Sequence, residues 1–471
     1  MTSRSGKDEK SRPSEMIIRS EDIACKNPFE LAIPRKGPAW TAFAILCETI
    51  SDHIEVSSRE MKEVLIIHCK LSVYAGGEYL CFCACKVLQD LGYHVNLLSD
   101  VFEPSIAEAL YGMGTVLSKC AHIQLPRPAP GLHRSLLVLE RIVYTIKLAR
   151  FANSLSKEDF DFVLSTQSSV FSFPGRRLYH FVYELTDLFS YPVPVAKGAI
   201  PRGGRGRRIY FSVLKLIYAA LAQQPRPTSF FVTGHGVLEG LKRLGFTNSS
   251  FIYPPSRVFK PGLPKRREIV QACRIAPEKR LEFMFDTARR LPQYKFCLVG
   301  KDSEANRLSN PGYAQRVLAN LPPNVTYIQS SIRERPELLT CSHVYFHTGL
   351  EKGLLLVLIE AMSAGCILVV PEHGVAGEIV RASEIGYTYD TMEQAADKLR
   401  IAMDDKSPWN PSEISLRAKK FGPEAFEALI RSLAEGQRGP GDGSYSRAAS
   451  RENLPEPERD VESHVDRQYG F

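Results

Sequence analysis

Two basic residues and two neighbouring glycines stand at points of this sequence where a protein could bind an anion. Arg274 and Lys279 are five residues apart in Cys273-Arg-Ile-Ala-Pro-Glu-Lys279, and Gly76-Gly77 opens a long apolar segment. Fixed cations stabilise negative charge, and glycines let the backbone approach a phosphate or a sugar closely. Taken alone, each segment also fits a plainer interpretation, a basic surface loop or a tight turn. Their chemistry therefore depends on where the fold places them.

A carboxylate stands in a third segment, the string Glu360-Ala-Met-Ser-Ala-Gly365. A carboxylate can accept two hydrogen bonds at once, and the small residues Ala364-Gly365 predict a turn that follows a helix. The plainer interpretation is a surface glutamate on an amphipathic helix.

Predicted strands and helices alternate around these three segments. We expect strands at 63–68, 94–98, 160–165, 178–183, 268–273, 294–299, 325–328, 343–346 and 367–370, and helices at 79–91, 278–291 and 354–364. This pattern predicts an α/β protein made of two consecutive doubly wound halves of about 180 residues each. Ligands of such sheets bind at the carboxyl ends of the strands, so the cleft between the halves is the expected site.

Composition excludes several classes of protein. The chain has 471 residues, of which 44% are apolar and 24% charged, which is ordinary for a globular protein. A net charge of +8 suits anionic ligands or an anionic membrane surface. It is too small to argue for nucleic acid, and the sequence has neither zinc-finger spacing nor an aromatic ribonucleoprotein signature.

Cysteine spacing and the N-terminal residues predict a reduced compartment. The eleven cysteines are odd in number, and the tightest set, Cys81, Cys83 and Cys85, lacks the paired spacing of a zinc site. We expect buried thiols rather than disulfides or metal ligands. The N-terminus has no apolar signal region, and no run reaches the about 18 apolar residues of a membrane span. We expect a cytoplasmic protein.

The segment from His343 to Val380 resembles the donor-site signature of family 4 retaining glycosyltransferases, which have the GT-B fold. That family shows an E-x7-E motif followed by Ala-Met-x-Ala-Gly and a strand. The resemblance implies that Glu360 holds the ribose hydroxyls of a nucleotide sugar. It also implies that Arg274 and Lys279 bind the donor diphosphate, and that Gly76-Gly77 forms the first glycine-rich loop, close to the phosphate or the transferred sugar.

The first glutamate of that motif is replaced in this sequence. Lys352 stands eight residues before Glu360, and Glu351 stands nine before it. In the family this position faces the transferred sugar. Three interpretations remain open: Glu351 serves after a small backbone shift, Lys352 reads a different sugar or phosphate, or transfer activity has been lost.

A second difference lies in the N-terminal half. Relatives carry a histidine near the transferred sugar, and Tyr183 stands at its place. His180 points to the opposite face of the predicted strand and is expected to be structural. Asp159-Phe-Asp161 fits the D-x-D pattern of metal-dependent glycosyltransferases, but it precedes a strand, so we expect solvated carboxylates there.

Within the family, the closest resemblance is to the α-1,2-mannosyltransferases that extend lipid-linked oligosaccharides. The pair His347-Thr348 and the linker segment Ile252-Tyr-Pro-Pro-Ser256 agree with that group, with His347 expected at the donor site. The implied donor is GDP-mannose, used without a metal or other cofactor. The implied acceptor is a glycan or a lipid-linked sugar. The alternative is a nucleotide-sugar-binding protein of the same fold with impaired transfer, and an epimerase or a phosphorylase of this fold is a third reading.

These expectations give a domain plan. Residues 1–36 and 436–471 are predicted to be disordered tails because they are polar and rich in charge, glycine or proline. An N-terminal Rossmann-like acceptor domain is expected at 62–248, a C-terminal donor domain at 249–410, and closing helices at 411–435.

A basic segment, Arg202-Gly-Gly-Arg-Gly-Arg-Arg208, directly precedes the tyrosine-bearing amphipathic segment 209–218. This combination is typical of an interfacial anchor and predicts peripheral contact with the cytosolic face of an anionic membrane. A solvated loop followed by a core helix explains the pattern equally well.

We expect replacement of the four arginines of this segment by serine to weaken co-sedimentation with anionic vesicles, by about 1 kcal/mol for each basic residue near the surface. High salt should mimic the replacement. Failure of the unmodified protein to co-sediment at low salt would contradict the anchor.

Overall fold

The computed structural model of the chain describes two parallel α/β domains and the helices that close them. The described residues are 62–68, 71, 76–100, 102–124, 151, 160–166, 177–183, 228–243, 246, 248–262, 264–302, 307, 310–331, 334–350, 353, 355–404 and 407–436. The tail expected at 1–36, the tail expected at 436–471 except Gly436, and the basic segment with its amphipathic neighbour at 202–218 lie outside them. Within the described residues, no helix is long and apolar enough to cross a membrane.

The N-terminal domain is a seven-stranded parallel sheet with helices on its faces. Its strands are β1 (Glu63–Ile67), β2 (His94–Ser99), β3 (Ala121–Gln124), β4 (Phe162–Ser165), β5 (Arg177–Val182), β6 (Thr228–Val232) and β7 (Ser249–Phe251). Its described helices are α1 (Gly76–Asp90), α2 (Pro104–Tyr111), α3 (Gly114–Ser118) and α4 (His235–Arg243). The strand order is β3-β2-β1-β4-β5-β6-β7, so the order reverses between β1 and β4.

The C-terminal domain repeats the same winding in six strands. They are β8 (Arg266–Ala272), β9 (Lys295–Val299), β10 (Val325–Ile328), β11 (Ser342–Phe346), β12 (Ile367–Pro371) and β13 (Tyr387–Tyr389). Its helices are α5 (Leu281–Arg290), α6 (Tyr313–Leu318), α7 (Glu337–Thr340), α8 (Leu356–Ser363), α9 (Val375–Ser383), α10 (Met392–Met403) and α11 (Pro411–Ala418). The order is β10-β9-β8-β11-β12-β13, which places the reversal between β8 and β11.

Continuous apolar runs form the central strands because both faces of a parallel sheet are covered by helices. All five residues of β12 are buried, and the last four of β1 are too. The predicted alternation of strands and helices is thus confirmed. The ends of the nine predicted strands differ from the observed ends by at most two residues. Cys81, Cys83 and Cys85 are buried on α1, and no disulfide joins the described cysteines.

Two boundaries differ from expectation. The short strand β7 pairs with β6, so the N-terminal sheet ends at Phe251, and the linker between the sheets is 252–265. The helix expected at 278–291 is divided: a 3-10 turn at Pro277–Lys279 comes first, and α5 begins at Leu281. The break is at Arg280, whose φ of 51° is in the left-handed region and cannot continue a helix.

The last helix returns to the N-terminal domain. After a 3-10 turn at Lys419–Phe421, helix α12 (Pro423–Ala434) packs on α1, and Phe426, Leu429 and Ile430 are buried in the core of the N-terminal domain. The Tyr93 hydroxyl donates to the Ala434 carbonyl oxygen at 3.1 Å. The chain therefore passes between the domains twice.

Candidate functional site

The strand order of the C-terminal domain reverses between β8 and β11, and ligands of such sheets bind in a crevice at the carboxyl ends of the strands at this point. The buried hydroxyl of Thr348 links the two strands there. The Gln271 side-chain amide donates to Thr348 Oγ1 at 2.9 Å, and Thr348 donates to the Lys279 carbonyl oxygen at 2.5 Å. Gln271 and Thr348 are fully buried. These hydrogen bonds attach the turn that contains Lys279 to the carboxyl ends of both β8 and β11.

Arg274 and Lys279 both lie at this crevice, as predicted, on the segment that follows β8. The Arg274 guanidinium is about half exposed and pairs with Glu278 at 3.1 Å. An exposed pair of this kind contributes little stability, so Arg274 can exchange its partner for a ligand anion at small cost. The helix expected from residue 278 does not begin beside these cations, because Pro277–Lys279 form a 3-10 turn.

Glu360 is buried on α8, with 3% of the residue exposed. Its carboxylate Oε1 accepts a hydrogen bond from Arg257 Nε at 3.3 Å, and the Arg257 guanidinium lies 4.9 Å from the centre of the Phe259 ring. Arg257 comes from the linker between the domains. A surface glutamate on an amphipathic helix is thus excluded, and Glu360 is a charged group held in the interior.

Sequence reasoning missed Arg257. The only signal was a basic residue two positions after the Pro254-Pro255 pair, in a segment expected to serve as a connector. Contact with a residue 103 positions away leaves no periodic pattern in the sequence.

His347 lies directly after β11 and is buried, with 1% of the residue exposed. Its carbonyl oxygen accepts a hydrogen bond from the Tyr389 hydroxyl at 2.7 Å, and its ring stacks at 6.4 Å on that of Tyr345. The structure thus places His347 at the same end of the sheet as the crevice, with its backbone fixed by β13.

Tyr183 of the N-terminal domain contacts both the glycine loop and the C-terminal domain. A methyl carbon built on Gly77 would lie 2.5 Å from the Tyr183 hydroxyl, and one built on Gly353 would lie 1.4 Å from the Tyr183 carbonyl oxygen. Gly77 opens α1, whereas Gly353 follows the Glu351-Lys352 pair. The glycine loop, Tyr183 and the loop of the altered motif are therefore brought together. Glu351 and Lys352 themselves lie outside the described residues.

His180 packs in the core, as expected for a structural residue. It is fully buried in β5, and its ring stacks on Phe230 at 5.4 Å.

A buried charged group lies beneath the glycine loop. His68 follows β1, and its Nδ1 lies 2.9 Å from the Thr166 hydroxyl, which follows β4. Its Nε2 lies 3.8 Å from a carboxylate oxygen of Glu78, in the first turn of α1. Burial alone would lower the pKa of His68, but hydrogen bonds with Cys81 and Glu78 outweigh it and raise that pKa to about 10. His68, Glu78 and Cys81 thus form a buried cluster at the carboxyl ends of β1 and β4, where the strand order reverses.

A second contact between the domains was not foreseen. The Glu378 carboxylate of α9 accepts hydrogen bonds from the His235 backbone N–H at 3.2 Å and from His235 Nδ1 at 3.0 Å. The hydrogen bond with Glu378 raises the pKa of His235, against the effect of burial. His235 begins α4, so the carboxylate also satisfies the positive end of that helix.

Comparison with known proteins agrees with this architecture. Residues 256–422 match the family model described as Glycosyl transferases group 1. Sucrose-phosphate synthase from Thermosynechococcus elongatus superposes with a TM-score of 0.61 at 15% identity, covering 80% of this chain and 99% of that one. HepE of Anabaena, solved with UDP and glucose, gives a TM-score of 0.56 at 14% identity, covering 80% of this chain and 100% of that one.

A third structure is WaaG, a glycosyltransferase involved in lipopolysaccharide biosynthesis, with a TM-score of 0.55 at 14% identity over 78% of this chain and 99% of that one. Comparison with curated protein sequences gives no match. The chain thus has the GT-B fold of glycosyltransferases, and its C-terminal domain is a glycosyltransferase group 1 domain.

The packing at Tyr183 predicts opposite responses at two glycines. Gly77→Ala should cost about 1–3 kcal/mol of unfolding free energy because the new methyl overlaps the Tyr183 ring. In a Tyr183→Ala background the same change should become neutral or stabilising, since alanine is the better helix former. Gly353→Ala should stay destabilising in both backgrounds, because its methyl overlaps a backbone carbonyl. Thermal or denaturant unfolding of the three single and two double variants measures this.

An equal cost of Gly77→Ala in the two backgrounds would contradict the contact between Tyr183 and the glycine loop. Lys86→Ala, at an exposed position of α1, serves as a control that should change the unfolding free energy by less than about 0.5 kcal/mol.

Proposed function

We propose that this chain is a retaining glycosyltransferase that moves a hexose, mannose in our assignment, from a nucleotide-diphosphate sugar to a glycan or lipid-linked acceptor. The observation that carries the proposal is the buried carboxylate of Glu360, positioned on α8 of a glycosyltransferase group 1 domain, with the Arg274–Lys279 turn at the neighbouring strand end. A buried acceptor of hydrogen bonds beside two cations is complementary to a ribose joined to a diphosphate.

The roles of the residues follow from their charges. Glu360 accepts hydrogen bonds from the ribose hydroxyls, since an ionised carboxylate is an acceptor only. Arg274 and Lys279 stabilise the diphosphate as it gains negative charge on leaving. We propose that these two cations meet that demand without a metal ion.

The transfer step needs no group beyond donor and acceptor. The acceptor hydroxyl oxygen forms a bond to the anomeric carbon on the face from which the diphosphate departs, and the bond from that carbon to the phosphate oxygen breaks. The hydroxyl proton passes to the departing phosphate oxygen. Configuration is retained because attack and departure occur on one face.

The sugar is assigned to the space bounded by the Gly76-Gly77 loop, Tyr183 and the loop that carries Glu351 and Lys352. Tyr183 replaces an imidazole with a phenol that donates and accepts a hydrogen bond, so it can contact a sugar hydroxyl without carrying charge. His347, which is buried directly after β11, is assigned to the same site from the side of the C-terminal domain.

The acceptor is assigned to the N-terminal domain, and contact with an anionic membrane surface on the cytoplasmic side would bring a lipid-linked acceptor to the cleft. The base of the nucleotide is assigned as guanine from the resemblance to mannosyltransferases. HepE, solved with UDP and glucose, shows that another protein of this fold takes uridine. Calorimetry with GDP, UDP and ADP decides between them.

A second candidate function is a nucleotide-sugar-binding protein that has lost transfer. The observation that favours it is the position of Tyr183, whose hydroxyl lies against Gly77 and covers the loop that a sugar or phosphate would approach. Lys352 in place of a carboxylate points the same way, because an ammonium only donates hydrogen bonds.

Nucleotide binding tests what both candidates share. Glu360→Ala and Arg274→Ala should each weaken binding of the preferred nucleoside diphosphate by about 1–3 kcal/mol, because each removes a charged hydrogen-bond partner. Calorimetry measures the effect. Arg289→Ala, which removes a half-exposed arginine of α5 that contacts Asp286 and the Asn320 carbonyl oxygen, is the matched control and should leave affinity unchanged. Unchanged affinity in both site variants would reject the donor-site assignment.

Turnover separates the two candidates. If Glu351 contacts the sugar, Glu351→Gln should lower transfer about a hundredfold or more, the loss of one charged hydrogen bond in the transition state, while Lys352→Ala does little. The assay is release of GDP or UDP from a panel of nucleotide sugars in the presence of lipid-linked acceptors. Nucleotide binding without any release by the unmodified protein would establish the binding protein, and Lys352→Glu would then be expected to restore hydrolysis or transfer.

A further inference from the structure

Arg257 reaches the candidate donor site from the linker between the two domains, and no motif assigns it a role. Only 20% of its side chain is exposed, and its guanidinium is placed by two contacts: the hydrogen bond from Nε to Glu360 Oε1, and the face of Phe259. A charged side chain is rarely buried to this extent unless its charge is used.

The pair formed by Arg257 and Glu360 is incomplete on both sides. Arginine and a carboxylate usually form two parallel hydrogen bonds, but here a single bond of 3.3 Å joins them. Arg257 Nη2 is buried and has no hydrogen-bond partner within the described residues. The second carboxylate oxygen of Glu360, Oε2, likewise makes no hydrogen bond to any described residue. One donor of Arg257 and one acceptor of Glu360 therefore remain without a partner among the described residues, on side chains that are already joined by one hydrogen bond.

A hydroxyl group is complementary to this arrangement. It donates one hydrogen bond and accepts others, so one sugar hydroxyl can donate to Glu360 Oε2 while it accepts from Arg257 Nη2. A phosphate oxygen would satisfy the arginine but would be repelled by the carboxylate. A carbonyl would leave the carboxylate without a donor. Of the parts of a nucleotide sugar, the ribose diol is the one that satisfies both groups.

A phenol of the N-terminal domain also lies near this pair. Tyr79, on α1 of the opposite domain, is close enough to interact electrostatically with both Arg257 and Glu360. Burial raises the pKa of the Tyr79 phenol above its usual range, so this neighbour stays neutral and adds no charge that would compete with the carboxylate for Arg257.

We propose that Arg257 is a specificity-determining residue of the donor site, which binds a ribose hydroxyl together with Glu360 and so makes the protein select ribonucleotides. This inference rests on the proposed function. It adds a residue from the linker to the ribose site, which the motif at Glu360 places in the C-terminal domain.

The test compares nucleotides that differ by one hydroxyl. Calorimetry with the full-length protein uses whichever of GDP, UDP and ADP binds, together with its 2′-deoxy and 3′-deoxy forms. For the unmodified protein we expect the ribonucleotide to bind about tenfold more tightly than at least one deoxy form, the effect of a hydrogen bond to charged partners. Arg257→Gln should lose about tenfold in affinity for the ribonucleotide and change that for the same deoxy form by less than about twofold.

Two further variants make the test specific. Arg257→Lys retains the positive charge but not the second donor of the planar fork, so it should keep the fold and still lose selectivity for the ribose. It provides the measurement if Arg257→Gln fails to fold. Arg289→Gln should keep the selectivity of the unmodified protein.

Each remaining outcome overturns the inference. An equal loss of affinity for ribo and deoxy forms would show that Arg257 contacts another part of the nucleotide or serves only the fold. A gain in affinity on its removal would show that Arg257 blocks the site. If the unmodified protein binds nucleotides and Arg257→Gln changes nothing, the inference alone fails. If it binds none, the proposed function fails with it.

Discussion

The site depends on how closely the two sheets approach each other at their carboxyl edges. At Gly353 the backbone of the C-terminal domain lies against the Tyr183 carbonyl of the N-terminal domain, where no side chain of any size fits. Contact this close sets the distance between the glycine loop on one side and α8 on the other. The glycine loop and Glu360 of α8 are thereby held at the same junction between the domains, where Tyr79 of α1 interacts with Glu360.

The two domains have similar side chains where their strand orders reverse. In each sheet a threonine hydroxyl links the two strands between which the strand order reverses. Thr166, after β4, accepts a hydrogen bond from His68, which follows β1. Thr348, after β11, links Gln271 of β8 to the Lys279 backbone. Basic residues lie close to each hydroxyl: His68, which is buried and contacts Glu78, in one domain, and Arg274 and Lys279 in the other. The cations of the C-terminal domain are the ones that we propose for binding the donor diphosphate, because His68 is already paired with Glu78.

Much of this arrangement was predictable from sequence, and the exceptions have physical causes. Buried parallel strands are continuous apolar runs, so nine strands and the two doubly wound halves could be inferred, whereas β3, β6, β7 and β13 were not predicted. Glu360 was found through its motif. The three-residue strand β7 is too short to show periodicity, the left-handed Arg280 has no sequence signal, and contacts such as His235 with Glu378 join residues 143 positions apart. Such contacts arise only once the sheets are packed.

The double passage of the chain between the domains has a mechanical consequence. One covalent connection, at 252–265, would allow one domain to rotate about any axis through it. The second, just before α12, adds another fixed point, because α12 is anchored in the core of the N-terminal domain by Phe426 and its neighbours. Two connections at different points restrict relative rotation of the domains more than one connection would, and rotation about the axis through both of them strains the two connections least.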